Sequence, residues 1–203
     1  LLIVFGFLPA TNIAASAATP SFYALDNGKI RFGTGSENSV NATGQLQQPW
    51  YYNGSTWYKL TYSSYPLDMQ ISTGGDGTSN WNINGSSINT QSGNFTLTGL
   101  TIDYTNFVQT GAVGAGVKGY GKIIAQGNMT VGSNTFQLTN TFELTQSDNF
   151  VKITTSVKNT SATTATNTRV WVGTRDDWVG NTDGPTKTKG TLSAANGFTQ
   201  IAN

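Results

Sequence analysis

The residues best suited to chemistry lie near the carboxyl end, in the run Gly173-Thr174-Arg175-Asp176-Asp177-Trp178-Val179-Gly180-Asn181-Thr182-Asp183-Gly184. Asp176, Asp177 and Asp183, with the Asn181 amide, are oxygen ligands of the kind that calcium gathers. Their spacing is not that of an EF-hand loop. The plainer and preferred reading is a long loop in which Arg175 pairs with one carboxylate and the others cap turns. Calcium at Asp176, Asp177 and Asp183 is kept as a candidate, and Asp76 in Gly74-Gly75-Asp76-Gly77 is a weaker one. A pair of carboxylates could also cleave a glycosidic bond, but that needs an acid and a base about 5–9.5 Å apart across a cleft. Asp176 and Asp177 are adjacent, so on a strand they point to opposite faces, and nothing pairs either with a distant partner. The 203-residue chain has neither His nor Cys. That removes His bases, Cys nucleophiles, Ser-His-Asp triads, His/Cys zinc sites and haem or iron–sulfur ligation. Its ten acidic residues are mostly isolated. The expectation is a protein that is not an enzyme and carries no cofactor.

A second group with chemical potential is aromatic. Trp50, Tyr51, Tyr52, Trp57, Tyr58, Tyr62 and Tyr65 crowd one region. Their faces could stack on sugar rings, so carbohydrate is a candidate partner. The plainer reading is cross-strand aromatic pairing, worth about 0.2–1 kcal/mol per pair, and it is preferred. Trp171 and Trp178 are expected in the core or over its rim.

Six Asn-x-Ser/Thr sequons occur, at Asn41, Asn53, Asn84, Asn94, Asn128 and Asn159. Two or three would arise by chance in a chain so rich in Asn, Ser and Thr. Asn53 and Asn159 fall in predicted turns or loops, where a sugar can project into water. Asn94 and Asn128 lie in or beside strands and must face outward. Charged residues are only 10% of the chain, against about 25% in ordinary soluble domains, and N-glycans would explain how such a surface stays dissolved. The net charge is +1 with no basic run, which leaves no electrostatic footprint for nucleic acid or an anionic membrane. These features point to a secreted glycoprotein, extracellular or on a cell surface.

The elements that must position these residues are strands. Helical periodicity with plausible caps is missing after Ser21. Phe22–Leu25 and Lys29–Phe32 flank Asn27-Gly28 like a hairpin, and Trp50–Tyr52 and Trp57–Tyr62 flank Asn53-Gly54-Ser55 like another. Phe95 to Tyr104 reads as a strand with a bulge at Gly99. Lys122–Val131, Phe136–Leu144, Phe150–Val157 and Arg169–Gly173 read as an antiparallel meander of four strands. The expected fold class is all-β, an antiparallel β-sandwich of immunoglobulin-like or jelly-roll-like form, with room for a strand supplied by a neighbouring subunit. Residues 19–203 are expected to form one domain. A soft boundary falls near 111–116, whose preferred reading is a flexible loop within that domain.

Residues 1–18 read differently. Leu1 to Leu8, LLIVFGFL, is an uninterrupted apolar run followed by Pro9 and small residues ending in Ala15-Ser16-Ala17-Ala18. It is too short for a membrane helix, which needs about 20 apolar residues. It could be the remnant of a secretory signal, a strand of its own domain, or a strand donated to a neighbour, and the last is preferred. In that case Leu1, Leu2, Ile3, Val4, Phe5, Phe7 and Leu8 carry polymerisation. The apolar amino-terminal strand, the sequon-rich β body and the lack of Cys resemble subunits of glycosylated extracellular filaments built by donor-strand complementation. The resemblance implies an incomplete β-sandwich, a helical homopolymer assembled head-to-tail, surface exposure and no catalysis. The expected function is therefore a structural subunit of such a filament. The alternative is a carbohydrate-binding or adhesive module of a larger surface protein.

Overall fold

A computed structural model describes residues 19–62, 67–73, 82–83, 86–87, 97–173, 178, 184, 188, 190–193, 195 and 197–201. The fold is all-β: several antiparallel sheets and one mixed sheet. Among the described residues fifteen strands follow in chain order. They are β1 (Tyr23–Leu25), β2 (Ile30–Phe32), β3 (Pro49–Tyr52), β4 (Trp57–Lys59), β5 (Asp68–Ser72), β6 (Asn82–Ile83), β7 (Ser86–Ser87), β8 (Thr98–Asp103), β9 (Phe107–Val113), β10 (Gly116–Val131), β11 (Asn134–Leu144), β12 (Lys152–Asn159), β13 (Arg169–Gly173), β14 (Gly190–Ser193) and β15 (Gly197–Gln200).

The spine is β10, at 16 residues the longest strand. Its first part pairs with β9 and, in parallel, with β1, while its second part pairs with β8 and β11. Both of its edges are thereby occupied, and β12 then adds to β11. The strands β10, β11 and β12 form the expected meander. The expected bulge is present: Gln126 opposes Thr101 and Asn128 opposes Thr98, so Gly99 and Leu100 share one opposing residue, with Gly99 at a φ of 62°. Residues 111–116 are the tip of the β9–β10 hairpin, turned at Gly114 and Ala115.

Along β11 burial alternates strictly with a period of two, as a strand with one wet face requires. Phe136, Leu138, Phe142 and Leu144 face inward beside Ile123, Ala125, Met129 and Val131 of β10. The inner face is covered in two patches. Leu25, Ile30, Phe32, Val40 and Leu46 pack on Ile123, Ala125, Phe142 and Leu144. Met69, Ile71 and Leu97 pack on Met129, Val131, Phe136 and Leu138. Each of these Val, Leu, Ile, Phe and Met side chains contributes about 1.5–3 kcal/mol when fully buried.

Two expectations are corrected. The segment around Asn27-Gly28 turns, with Asn27 N–H donating to the Ile30 carbonyl and Asp26 bridging Arg31 antiparallel, but the hairpin goes no further: β1 joins β10 and β2 joins β3. The reason is residues 38–40. Asn38 Oδ1 accepts from Tyr23 N at 2.9 Å, and Ser39 N donates to the Tyr23 carbonyl. The fully buried Ser39 Oγ accepts from Leu25 N and donates to the Phe32 carbonyl, both at 2.7 Å. A wedge thus takes the edge of β1 that a hairpin would have used. The second correction concerns Arg169–Gly173. It does not extend the meander but pairs antiparallel with β5 in a separate sheet.

Candidate functional site

Three surfaces are candidates: the aromatic hairpin, a cleft beside it, and the outer edge of β12. The hairpin β3–β4 closes at Asn53-Gly54 as expected. Its cross-strand partners are Trp50 with Lys59, Tyr51 with Tyr58 and Tyr52 with Trp57. Arg31 of β2 lies opposite Trp50. The guanidinium carbon sits 4.3 Å from the Trp57 ring centroid and 5.0 Å from that of Trp50, and Lys59 Nζ stands 5.4 Å over Trp50 on the same ladder. Tyr52 covers Trp57 from a ring-centroid distance of 5.3 Å, and Tyr51 stacks on Tyr58 at 6.0 Å. The indole faces are therefore already occupied by cations and neighbouring rings. Cross-strand pairing engages Trp50, Tyr51, Tyr52, Trp57 and Tyr58, while Tyr51, Tyr52 and Tyr62 keep exposed surface. Burial of Arg31 lowers its pKa from the usual guanidinium value, partly offset by the charge of Asp26. Arg31 Nε and Trp50 Nε1 are buried without an acceptor among the described residues.

Next to this ladder opens a cleft of about 450 Å³, walled by Trp57 and Tyr120 and lined with Asp26, Arg31, Lys118 and Gln146. Its rim is tied down from two sides of the chain. Asn27 Nδ2 donates to the carbonyls of Thr145 and Asp148 at 2.8 and 2.9 Å, and Lys29 Nζ reaches the Ser147 carbonyl at 2.8 Å. Tyr120 Oη donates to Gln146 Oε1 at 3.4 Å. The turn after β1 is thereby fixed against the loop after β11. No spacing in the sequence announces this cleft, because its residues come from the β1–β2 turn, β2, β4, β9, β10 and the loop after β11.

The outer edge of β12 has no backbone partner among the described residues. The strand is eight residues long and alternates between exposed and half-buried positions. Ile153 packs against one core patch and Val157 against the other. Beside Val157 lies an open groove of about 490 Å³, bordered by Phe136, Ala165 and Val170.

Among the sequons, Asn53 is exposed at the hairpin turn, and Asn128 is exposed on the outer face of β10. Asn41 is half-buried, its Oδ1 accepting from Thr43 N, Thr43 Oγ1 and Gln45 N. Asn159 closes β12, with its Nδ2 donating to the Thr163 carbonyl. Asn84 and Asn94 lie outside the described residues, as do Leu1, Leu2, Ile3, Val4, Phe5, Phe7, Leu8, Tyr65, Asp76, Asp176, Asp177 and Asp183. Trp178 is half-buried, 5.3 Å from Tyr62 between ring centroids. Among the described residues no group of three or more acidic side chains gathers as a metal site, and no helix is long and apolar enough to cross a membrane. Comparison with protein-family models, with curated proteins and with solved structures finds no match.

Proposed function

We propose that the chain is a β-sandwich subunit of a secreted, glycosylated extracellular filament, and that the outer edge of β12 accepts the Leu1–Leu8 strand of a neighbouring copy. The free edge of β12 is the observation that carries this reading. An unpaired strand edge is a template for another strand. It offers a ladder eight residues long, the length of the apolar run Leu1–Leu8. Added there, the donor strand would turn alternate side chains, either Leu1, Ile3, Phe5 and Phe7 or the intervening set, toward the inner face that Ile153 and Val157 already share. Each large side chain so buried would add about 1.5–3 kcal/mol before ordering costs. Because donor and acceptor are different surfaces of one chain, the contact is heterologous and propagates into a fibre unless rotation closes a ring.

The test is negative-stain microscopy of the full chain, with and without an excess of the peptide LLIVFGFL made soluble by added lysines. Fibres with a regular axial repeat, shortened by the peptide, are expected. A chain that stays monomeric at every concentration, with or without peptide, sinks the reading.

The cleft at Arg31 favours a second reading, a carbohydrate-binding or adhesive module of a larger surface protein. The two are compatible, since a fibre on a cell surface can also present a binding site.

A further inference from the structure

We infer that the cleft between the Asn27-Gly28 turn and the loop after β11 binds an acidic saccharide, a glycan unit bearing a ring carboxylate. This rests on the carbohydrate-binding reading and is independent of filament assembly.

The argument begins with charge. Arg31 and Lys118 line the cleft against one carboxylate, Asp26. Among the described residues, the ion pairs are Lys122 and Lys152 with Glu143, so neither cleft cation is neutralised at contact distance. Asp26 is itself partly engaged, since its Oδ1 accepts from Gly28 N at 2.7 Å. The cleft therefore carries more positive than negative charge. Its aromatic walls, Trp57 and Tyr120, replace water with a medium of lower dielectric constant and so strengthen the field within it.

The remaining groups select the class of anion. Asp26 accepts hydrogen bonds, and the Gln146 amide both donates and accepts. Acceptors and amides beside cations suit a ligand that carries hydroxyls as well as a carboxylate. A bare acidic peptide offers Asp26 one backbone N–H per residue where a saccharide ring offers several hydroxyl donors, so the hydrogen-bonding groups favour the saccharide. The cleft is open and polar, which disfavours an apolar ligand. The Trp57 face is covered by Arg31, so recognition here is by charge and hydrogen bonding with the aromatic walls as edges, not by ring stacking.

Preorganisation supports a ligand site over an incidental hollow. Asn27 and Lys29 bond the backbone of the loop after β11, so the two lips cannot drift apart without breaking three hydrogen bonds. A rim fixed before binding reduces the ordering cost of association.

The test uses the full chain and three probes in calorimetric titration: an oligogalacturonate, a neutral gluco-oligosaccharide of the same length, and a poly-glutamate peptide of matched charge. The expected result is binding of the oligogalacturonate, weaker by at least tenfold for the neutral sugar and the peptide, and weakened severalfold between 50 mM and 500 mM salt as screening requires. Lys118→Glu, on an exposed position of β10, is expected to weaken the uronate by tenfold or more, and Gln146→Ala by severalfold. The neutral sugar binding as well as the uronate would overturn the acidic class while leaving a carbohydrate module standing. Binding of neither sugar overturns both. Preference for poly-glutamate, or a Lys118→Glu chain that folds and binds the uronate unchanged, also overturns the inference.

Discussion

The Arg31 guanidinium carbon lies 4.3 Å from the centroid of the Trp57 ring, inserted between that indole and Trp50. Two adjacent strands of the small β2–β3–β4 sheet are thereby bound through one cation. Contacts of this kind contribute about 0.5–1 kcal/mol when exposed and about 2 kcal/mol when desolvated. Arg31 is half-buried, so the value should fall between these. Replacing it by Met keeps the stem and removes the charge. Arg31→Met is expected to lower unfolding stability by about 1–2 kcal/mol, read from the midpoint of urea denaturation. An unchanged midpoint would show that the ladder is held by ring packing alone.

Ser39 is a buried polar crosslink. Its hydroxyl serves β1 at Leu25 N and β2 at the Phe32 carbonyl. Ser39→Ala leaves a buried backbone N–H without an acceptor, which costs about 1–3 kcal/mol. Gly at this position should cost no less. The Leu25 amide should also exchange with deuterium markedly faster in the Ala variant. If stability and exchange at Leu25 both stay as in the parent chain, a water replaces the hydroxyl and the wedge is not held by Ser39.

That wedge explains what could and could not be read from the residues. Alternation along Phe136, Leu138, Phe142 and Leu144 is local and strong, and it specified a half-buried strand correctly. So did Asn53-Gly54 for its hairpin and Gly99 for its bulge, since each reports a backbone need of its own neighbourhood. The Asn27-Gly28 turn is equally local and is present, yet the pairing it suggested stops after a single antiparallel bridge between Asp26 and Arg31. The competitor is Ser39, whose side chain outbids a hairpin only once the core has formed around it. Arg169–Gly173 likewise has strand chemistry, but its partner β5 is about a hundred positions earlier in the chain, and no local pattern can name such a partner. The cleft escaped notice for the same reason. Asp26, Arg31, Lys118 and Gln146 are unremarkable singly and become a site only when β10 brings them together.

Glu143 sits on the outer face of β11 between two lysines, 3.0 Å from Lys122 Nζ and 3.1 Å from Lys152 Nζ. The hydrogen bond from Lys122, then that from Lys152, holds its pKa below the usual carboxylate value. A carboxyl whose folded pKa is depressed binds its proton more readily in the unfolded chain. Its contribution to stability is therefore full above the unfolded value, about 4.3, and is lost as pH falls through the lower folded value. Glu143→Gln should be slightly less stable than the parent at neutral pH and should converge with it in acid. At 1 M salt the difference at neutral pH should shrink, because these charges are solvent-accessible. Parallel stability curves from pH 7 to pH 2 would show that the triad does nothing measurable.

The sequons differ in what a glycan would have to break. Asn53 is exposed, and its Oδ1 accepts from Ser55 N at 3.0 Å and from Ser55 Oγ at 3.1 Å. Thr56 N donates to the same oxygen at 2.9 Å, so the turn engages the Asn53 Oδ1 and not the Nδ2 that a glycan would take. Asn128 stands exposed on the outer face of β10, where a sugar would lie over Gln137, its partner on β11. Asn41 is different: its amide is caught among Thr43 and Gln45 in a half-buried turn. Secretion from a host that attaches N-glycans should therefore modify Asn53 and Asn128 to high occupancy and Asn41 to a much lower one, as read by peptide mass spectrometry after enzymatic deglycosylation in heavy-oxygen water. Asn53→Gln and Asn128→Gln should each remove one glycan mass without unfolding the chain, because neither side chain is buried. Full occupancy at Asn41 with none at Asn53 would mean that modification precedes folding of this turn and that the folded geometry does not govern the choice.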